Sequence, residues 1–177
     1  MRLAAEIVVL ALLAVLTAPA ARAEPRNGFG LAGGLTAHRA RYTFADGSFV
    51  PYTSAGLSLG GDAQFAVDER WSLNPYLLLS LERNSGDLAG TIGNGAAGFE
   101  VRRWRGPLFL GLRAGYYVQL LSTTRATSTA YGPGLGVSFG GESAEGLTWG
   151  AALDVLRLGT FVATHVGLRL HVGWRWY

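Results

Sequence analysis

Residues 162–176, near the end of the chain, alternate between apolar and polar positions. The large apolar residues all occupy even-numbered positions: Val162, Val166, Leu168, Leu170, Val172, Trp174 and Trp176. The odd-numbered positions carry His165, Gly167, Arg169, His171, Gly173 and Arg175. A run of about 15 residues at period two is much longer than the usual strand of about 5–6 residues. In a soluble sheet its apolar side needs a second protein layer, whereas lipid covers that side in a closed transmembrane barrel.

Seven earlier segments have the same period of two and are separated by turn-like residues. They cover about residues 28–39, 53–67, 71–82, 93–103, 108–122, 131–139 and 147–156. No apolar stretch after residue 24 keeps the i, i+3, i+4, i+7 spacing of a helix for long enough to form one. Short turns and mostly longer polar loops alternate between the segments. The pattern predicts an all-β fold, an eight-stranded antiparallel up-and-down transmembrane β-barrel.

The aromatic residues fall near two heights of the predicted strands. Toward the short-turn side lie Phe29, Phe65, Trp71, Trp104, Phe109, Phe139, Trp149, Trp174, Trp176 and Tyr177, and toward the longer loops lie Tyr42, Phe44, Tyr52, Tyr116, Tyr117, Tyr131 and Phe161. Rings at two levels are typical of the aromatic girdles at the two interfaces of a membrane. Aromatic residues are also common in strands generally, but their separation by height favours the girdles.

The first 23 residues predict a signal peptide. Arg2 precedes an apolar run over residues 7–16, and residues 21–23 form a small-x-small cleavage site. This run has about half of the roughly 20 apolar residues that a transmembrane helix needs. We therefore expect the barrel domain over residues 24–177, in an exported protein.

Composition narrows the function classes. From residue 24 onward the chain has 13 arginines, 11 acidic residues, no lysine and no cysteine, so its net charge is about +2 (13 − 11). No basic cluster concentrates this small excess, so nucleic-acid binding is not expected. Without cysteine, the stability of the exported protein cannot come from disulfides.

Charged residues on the polar parity predict a network inside the barrel. They are Asp62, Glu82, Glu100, Arg102, Arg113, Asp154, Arg169, His171 and Arg175. Buried charges are tolerated when they are paired or hydrogen-bonded, and a turn at residues 105–106 brings Glu100 within about one residue pair of Arg113. An eight-stranded interior is only just wide enough to hold side chains. We therefore expect a structural polar plug, with a charge-lined gate or narrow pore as the alternative.

Two kinds of motif suggest other chemistry, but their context does not fit. Residues 56–60 and 136–140 match the GxSxG pattern of hydrolases, which needs a strand, a sharp turn and a helix, and both lie inside alternating strands. Residues 28–33 match GxGxxG, but no strand precedes them and no helix follows, so the phosphate-binding mechanism is missing. We expect no catalytic residue, no metal and no cofactor.

With its export signal, eight alternating segments and aromatic end, the chain resembles the small outer-membrane β-barrel superfamily, the barrels of the outer-membrane protein A and X type. The resemblance covers nearly all of residues 24–177. It implies an integral protein of the Gram-negative cell outer membrane, with outer-membrane lipid as a partner. It also implies that the end of the chain, Trp174, Trp176 and Tyr177, is the signal that the barrel-assembly machinery recognises. Tyr177 departs from the usual pattern because it is out of phase with the outward residues.

The expected function is that of a non-enzymatic outer-membrane protein with a structural or surface-interaction role and a plugged, charge-lined lumen. A general diffusion porin is disfavoured because such channels need about 16 strands. One alternative is a lipid-modifying enzyme similar to lipid A deacylases, with His38 or His165 as the base. The His-x-Ser arrangement of that family is absent, since residues 165–167 read His-Val-Gly. The other alternative is a soluble periplasmic barrel that binds an apolar ligand, as lipocalins do, with its large aliphatic residues inward.

Overall fold

A computed structural model of the protein has one closed barrel of eight antiparallel strands, which pair in chain order. It describes residues 25–43, 49–85, 89–123, 127–159 and 163–177. The strands are β1 Gly28–Thr43, β2 Phe49–Ala66, β3 Trp71–Ser85, β4 Gly90–Arg105, β5 Leu108–Thr123, β6 Thr127–Glu142, β7 Leu147–Leu158 and β8 Ala163–Trp176. The predicted up-and-down barrel is confirmed. The expected signal peptide, residues 1–23, lies outside the described residues, among which no helix is long and apolar enough to cross a membrane.

The register of the strand ladders shows how strongly the strands are staggered. When cross-strand partners are followed from Gly30 in β1 around the barrel through β2 to β8, the path returns to β1 at Ala40. The stagger of the barrel is therefore ten residues (40 − 30). In closed barrels, strand number and stagger together set the tilt, typically about 35–45°. Residues at the same height of the barrel are therefore shifted along neighbouring strands, so side chains that meet inside the lumen need not be direct cross-strand partners.

The barrel has two rims, which we call lower and upper. The lower rim carries both ends of the described chain and the connections 67–70, 106–107 and 143–146; the upper rim carries the connections 44–48, 86–89, 124–126 and 159–162. The strands run further toward the upper rim than the alternating segments predicted, since β1 reaches Thr43 and β6 begins at Thr127. The predicted contrast between short turns and longer loops is therefore wrong. Residues beyond the alternating segments, apolar as well as polar, continue the strand pairing and shorten the connections.

The two faces of the barrel wall have opposite character. Large aliphatic side chains point outward, and Leu57 and Leu135 are 67% and 68% exposed. Polar side chains point inward, and Asn74 and Glu82 are 0% and 1% exposed. This confirms the predicted parity of the strands. A continuous apolar outer surface of this kind requires an apolar environment or a partner to cover it.

The predicted aromatic girdles are correct only in part. Exposed near the lower rim are Phe29, Phe65, Trp71, Trp149, Trp174, Trp176 and Tyr177, and exposed nearer the upper rim are Tyr116 and Tyr131. Four residues assigned to the girdles are instead buried in the lumen, because they lie on the inward parity of their strands: Tyr52, Trp104, Phe109 and Tyr117. Phe44, Phe161 and the side chain of Tyr42 lie outside what the structure describes.

Candidate functional site

A chain of alternating acids and arginines crosses the lumen near the lower rim; we call it the lower ladder. Arg175 contacts Glu142 (Nε–Oε2, 2.9 Å) and Asp62 (Nη2–Oδ2, 2.8 Å). Asp62 also contacts Arg102 (Oδ2–Nη1, 3.1 Å), and Arg102 reaches Glu100 (Nε–Oε1, 2.8 Å). These side chains come from β2, β4, β6 and β8. The lower ladder therefore connects opposite parts of the wall through the interior.

Neutral side chains complete the hydrogen bonding of the lower ladder. Ser138 donates to Glu100 (Oγ–Oε1, 2.5 Å), and Asn74 donates to Asp62 (Nδ2–Oδ2, 3.2 Å). Ser72 donates to the Oδ1 of Asn74 over 2.8 Å and accepts the indole N–H of Trp104 over 2.9 Å. Burial of a carboxylate is costly unless its oxygens are paired and hydrogen-bonded. Both carboxylates meet that requirement.

Glycines in the intervening strands allow these inward side chains to meet. Gly30 in β1 is the cross-strand partner of both Asp62 in β2 and Arg175 in β8. A Cβ at Gly30 would lie 2.6 Å from Asp62 Oδ1. Gly136 in β6 likewise lies between Arg113 and Asp154, and its Cβ would lie 2.2 Å from Asp154 Oδ1. A side chain on either glycine would occupy the space through which the two neighbours pair. These glycines are thus part of the network.

An aromatic and aliphatic layer lies above the lower ladder. The hydroxyls of Tyr76 and Tyr117 are 3.3 Å apart, and both residues belong to one buried hydrophobic cluster with Leu156. The guanidinium of Arg113 lies 4.2 Å from the centre of the Tyr76 ring. Its Nε is 3.2 Å from Asp154 Oδ1, although the two are not aligned for a hydrogen bond. This layer fills the middle of the lumen.

Arg169 and His171 are the two predicted network residues that form no ion pair with other described residues. Arg169 Nε and His171 Nδ1 are buried without a hydrogen-bond partner among those residues. Both side chains line a cavity of about 50 Å³ beside Glu100 and Arg113. One water needs about 10–15 Å³ of such space. The cavity can admit water but is too small for an organic solute.

A second polar network, the upper network, surrounds Glu82 in β3. Glu82 Oε2 contacts His38 Nδ1 at 2.8 Å and accepts from Ser54 Oγ at 2.5 Å. Glu82 Oε1 accepts from Ser80 Oγ at 2.7 Å and from Asn94 Nδ2 at 2.8 Å. Hydrogen bonds to an ionised carboxylate are among the strong ones in proteins. These four contacts compensate for the almost complete burial of Glu82.

An apolar cluster covers the upper network on the side of the upper rim. It consists of Ala40, Tyr52, Ile92 and Leu121, and Ile92 is 0% exposed. A second cavity in the lumen, below this cluster, measures about 20 Å³. The lower ladder, the middle layer and this apolar cluster therefore each fill the interior at a different height.

Opposite charges in the described part of the lumen nearly balance. The arginines are Arg102, Arg113, Arg169 and Arg175, and the carboxylates are Asp62, Glu82, Glu100, Glu142 and Asp154. Four carboxylates lie among the arginines, and the fifth, Glu82, contacts His38. Pores that select ions of one sign carry rings of like charge. The described lumen has no such excess.

The structure places all nine residues of the predicted lumen network on the inner face, but their pairing differs from the simplest expectation. Glu100 and Arg113 are direct cross-strand partners. Glu100 nevertheless pairs with Arg102, and Arg113 pairs with Asp154. Sequence reasoning missed Glu142, which it assigned to a turn. Glu142 shares the parity of the inward residues of β6, so a longer β6 would have included it.

The histidines considered as catalytic bases lie inside the lumen. His38 binds Glu82 through Nδ1, and its other nitrogen faces Gly167, where a Cβ would come within 2.4 Å of Nε2. His165 Nδ1 is 3.1 Å from the hydroxyl of Tyr52. Among the described residues, no serine donates to either ring, and no group of three or more His, Asp or Glu side chains could hold a metal ion.

Solved structures of other proteins have the same architecture. Ail, the attachment invasion locus protein of Yersinia pestis, in complex with the heparin analogue sucrose octasulfate, matches with a TM-score of 0.59 at 12% identity, over 85% of this chain and 99% of that chain. Neisserial surface protein A matches with a TM-score of 0.58 at 16% identity, over 83% and 95%. The outer membrane protein OprG from Pseudomonas aeruginosa matches with a TM-score of 0.52 at 12% identity, over 89% and 99%.

This chain has the fold of the small outer-membrane β-barrels. The resemblance predicted from sequence is therefore confirmed at the level of the fold. No protein-family model and no curated protein sequence matches the chain. At 10–16% identity, the likeness to the solved structures concerns the fold alone.

The outer surface of this barrel carries a second set of arginines at the upper rim. In each strand, the apolar outward residues are followed, toward the upper rim, by a charged residue, a serine or a threonine. This residue is an arginine in three strands: Arg39 in β1, Arg83 in β3 and Arg157 in β7. In the other five strands it is Thr53, Thr91, Ser122, Thr129 or Thr164. Arg41 follows Arg39 on the same face. All four arginines are exposed. No carboxylate lies on this outward rim in the described part of the chain.

Proposed function

We propose that this protein is an integral outer-membrane β-barrel with a closed lumen and a structural or surface-interaction role. The observation that carries the proposal is the polarity of the wall, with exposed leucines outside and paired charges inside. Leu77 and Leu112 are 67% and 68% exposed in the middle of the outer face. Hydrocarbon covers such a surface without a second protein layer, and a closed barrel leaves no strand edge unpaired in lipid. The fold shared with Ail, Neisserial surface protein A and OprG supports the same membrane.

The filled interior favours a plugged lumen rather than an open channel. The lower ladder, the Tyr76–Tyr117 contact and the buried Ile92 each occupy the lumen at a different height. Eight strands leave an interior that side chains can fill, whereas general porins use about 16 strands. The near balance of charges also supports a structural role for the network. We therefore propose that its arginines and carboxylates stabilise the barrel from within.

The orientation follows from the chain ends. Both ends of the described chain lie at the lower rim, which would face the periplasm, as in other barrels with an even number of strands. The signal peptide expected over residues 1–23 would direct export. Trp174 and Trp176 are exposed beside Tyr177, whose ring lies 3.9 Å from the Arg26 guanidinium. We propose that these three aromatic residues form the end that the barrel-assembly machinery recognises.

The two other functions receive less support. A lipocalin-like barrel needs its large aliphatic residues inside, and here those residues are outside. A lipid A deacylase-like enzyme needs its base at the lipid-facing surface, and His38 and His165 both have hydrogen-bonding contacts inside the lumen. Alanine substitution of both histidines should leave the acylation of lipid A unchanged in mass spectra of cells that express the protein. Altered acylation would favour the enzyme.

Heat modifiability tests the proposed membrane barrel. The protein in outer-membrane fractions should resist a carbonate wash, and unboiled samples should migrate differently from boiled samples in detergent gels. A soluble protein without a mobility shift would contradict membrane insertion. Recordings in planar bilayers test the lumen separately. We expect no stable conductance, and steady channel currents would contradict the closed lumen without contradicting the location.

A further inference from the structure

The lumen cavity of about 50 Å³ lies where β1 presents only small residues to the interior. The inward residues of β1 at this height are Ala32 and Gly34. Gly34 is the cross-strand partner of both Ser58 in β2 and His171 in β8. Because glycine has no side chain, β1 does not fill the space between these two neighbours. Ser58 and His171 therefore both line the cavity.

Nitrogen donors without a partner border this cavity. Arg169 lines it, and its Nε is buried with no hydrogen-bond partner among the described residues. His171 Nδ1 is buried in the same way. Arg113, which is 3% exposed, also lines the cavity, and its Nη1 and Nη2 have no hydrogen-bond partner in the described part of the chain. Buried polar groups in native proteins are nearly always satisfied by protein, water or an ion. The occupant of the cavity must therefore accept hydrogen bonds.

The two carboxylates that line the cavity already accept hydrogen bonds from other residues. Both oxygens of Glu100 accept from Arg102, and Oε1 also accepts from Ser138. Both oxygens of Asp62 accept from Arg175. The side chains that remain free around the cavity are therefore mainly donors. A water molecule could accept from them but would find few acceptors for its own hydrogens, whereas an anion only accepts.

The charge of Arg169 lacks a counter-charge in direct contact. Arg102, Arg113 and Arg175 each contact at least one carboxylate, and among the arginines of the described lumen only Arg169 contacts none. Burial of an isolated ionised group is costly. Opposite charges attract each other more strongly in the protein interior than in water. An anion beside Arg169 would therefore be held more firmly than one at the surface.

We propose that this cavity binds one halide ion, chloride or bromide, held by the guanidinium of Arg169 and the imidazole of His171. The hydroxyl of Ser58 can rotate to donate to the same ion. A halide is only slightly larger than a water molecule, so it fits a space that excludes organic anions. The bound ion would be part of the plug, because it neutralises Arg169 and completes the hydrogen bonding of these donors. The site lies inside the wall, so it does not depend on which medium surrounds the barrel.

Bromide is the probe, because its anomalous X-ray scattering distinguishes it from water. In crystals of the detergent-refolded protein grown with sodium bromide, we expect an anomalous peak within hydrogen-bonding distance of the Arg169 guanidinium. The variant Arg169→Gln should lose this peak, because it removes the charge and most of the donors. The matched control is Arg157→Gln, which removes the same charge from the outer surface and should keep the peak.

Unfolding in solution gives a second measurement of the same site. The unfolding equilibrium constant of the unmodified protein should be about tenfold lower in sodium bromide than in sodium gluconate at equal concentration, as for a salt concentration of roughly ten times the dissociation constant. Gluconate serves as the reference anion because it is too large for the cavity. The difference between the two salts should disappear in Arg169→Gln and persist in Arg157→Gln.

Four other results would overturn the proposal. Ordered water without an anomalous peak in the unmodified protein would mean that water fills the cavity, whether or not Arg169→Gln folds. A peak that persists in Arg169→Gln would mean that this arginine does not hold the ion. An equal effect of bromide on all three proteins would be a general effect of the salt. A peak without any difference in solution would mean binding at crystal concentration only. A protein with no heat-modifiable form would instead contradict the proposed function.

Discussion

Arginine occurs on both faces of this barrel wall, in two different settings. Inside, Arg102 and Arg175 each contact two carboxylates and are 8% and 2% exposed. Outside, at the upper rim, Arg39 and Arg157 are exposed and contact no carboxylate among the described residues. The same side chain is held by protein partners on one face and is open to the surroundings on the other.

The difference follows from the surroundings of each face. In a filled lumen an unpaired charge has lost its water, so removing one partner of a pair leaves the other buried and costly. At the rim, the long side chain can keep its guanidinium among water and headgroups while its stem covers apolar surface. Substitutions in the lumen should therefore change stability, and substitutions at the rim should change the response to the lipid.

Removing the shared carboxylate of the lower ladder should have the largest effect. Asp62→Ala leaves both Arg102 and Arg175 without one of their partners, and we expect a loss of about 3–5 kcal/mol in the free energy of unfolding. Equilibrium urea unfolding in lipid vesicles, followed by tryptophan fluorescence, measures it. The control is Glu145→Ala, which removes an exposed carboxylate in a lower-rim turn and should change stability by less than about 0.5 kcal/mol. Equal stability of the two variants would contradict a stabilising role for the lower ladder.

Moving an arginine from the rim into the apolar belt should have a slightly smaller effect. Leu77 lies midway between Trp71 and Arg83 on the outward face of β3. We expect Leu77→Arg to destabilise the folded barrel by about 2–4 kcal/mol, because a charge at this depth is surrounded by hydrocarbon. Arg83→Leu, at the interface, should change stability by no more than about 1 kcal/mol. Unfolding in vesicles checks both, and a harmless Leu77→Arg would mean that lipid does not cover this face.

Sequence alone could predict which residues face outward, because a pleated strand turns successive side chains to opposite faces. The parity of β8 follows from this directly. Strand length could not be predicted in the same way. β6 continues to Glu142 because Gly140 and Gly141 pair with Phe109 and Leu108 in β5. Glycines carry no apolar signal, so an alternation pattern ends too early there.

The partners inside the lumen could not be predicted, because they depend on stagger and on space. Asp62 and Arg175 belong to β2 and β8, which are separated in the sheet by β1. They meet because Gly30 between them has no side chain. A pattern of charges identified the inward residues, whereas their pairing required the register of three strands. An inward glycine whose two cross-strand partners carry opposite charges is the sequence signal that could have indicated this ion pair.

Adding one methyl group to that glycine should have an intermediate effect. In Gly30→Ala the new Cβ would lie 2.6 Å from Asp62 Oδ1 and would separate Asp62 from Arg175. We expect a loss of about 1–3 kcal/mol, as in other overpacked interiors. Gly33→Ala is the matched control in the same strand, because its Cβ points outward into open space. The substitution also reduces the backbone freedom of the unfolded chain. It should be neutral or stabilising by up to about 1 kcal/mol. Similar losses in both variants would mean that the strand, and not the lumen contact, is the cause.

Exchanging arginine for serine on the outer face should have the smallest effect. Arg157→Ser removes an exposed charge with no described carboxylate partner, and in neutral phosphatidylcholine vesicles we expect a change of less than about 0.5 kcal/mol in unfolding free energy. The same exchange at Arg175 removes a buried partner of both Glu142 and Asp62 and should cost about 3–5 kcal/mol. The two variants have the same net charge and the same new side chain, so only the face of the wall differs. If Arg157→Ser were as destabilising as Arg175→Ser, the rim arginine would be held by the protein itself, and the distinction between the two faces would fail.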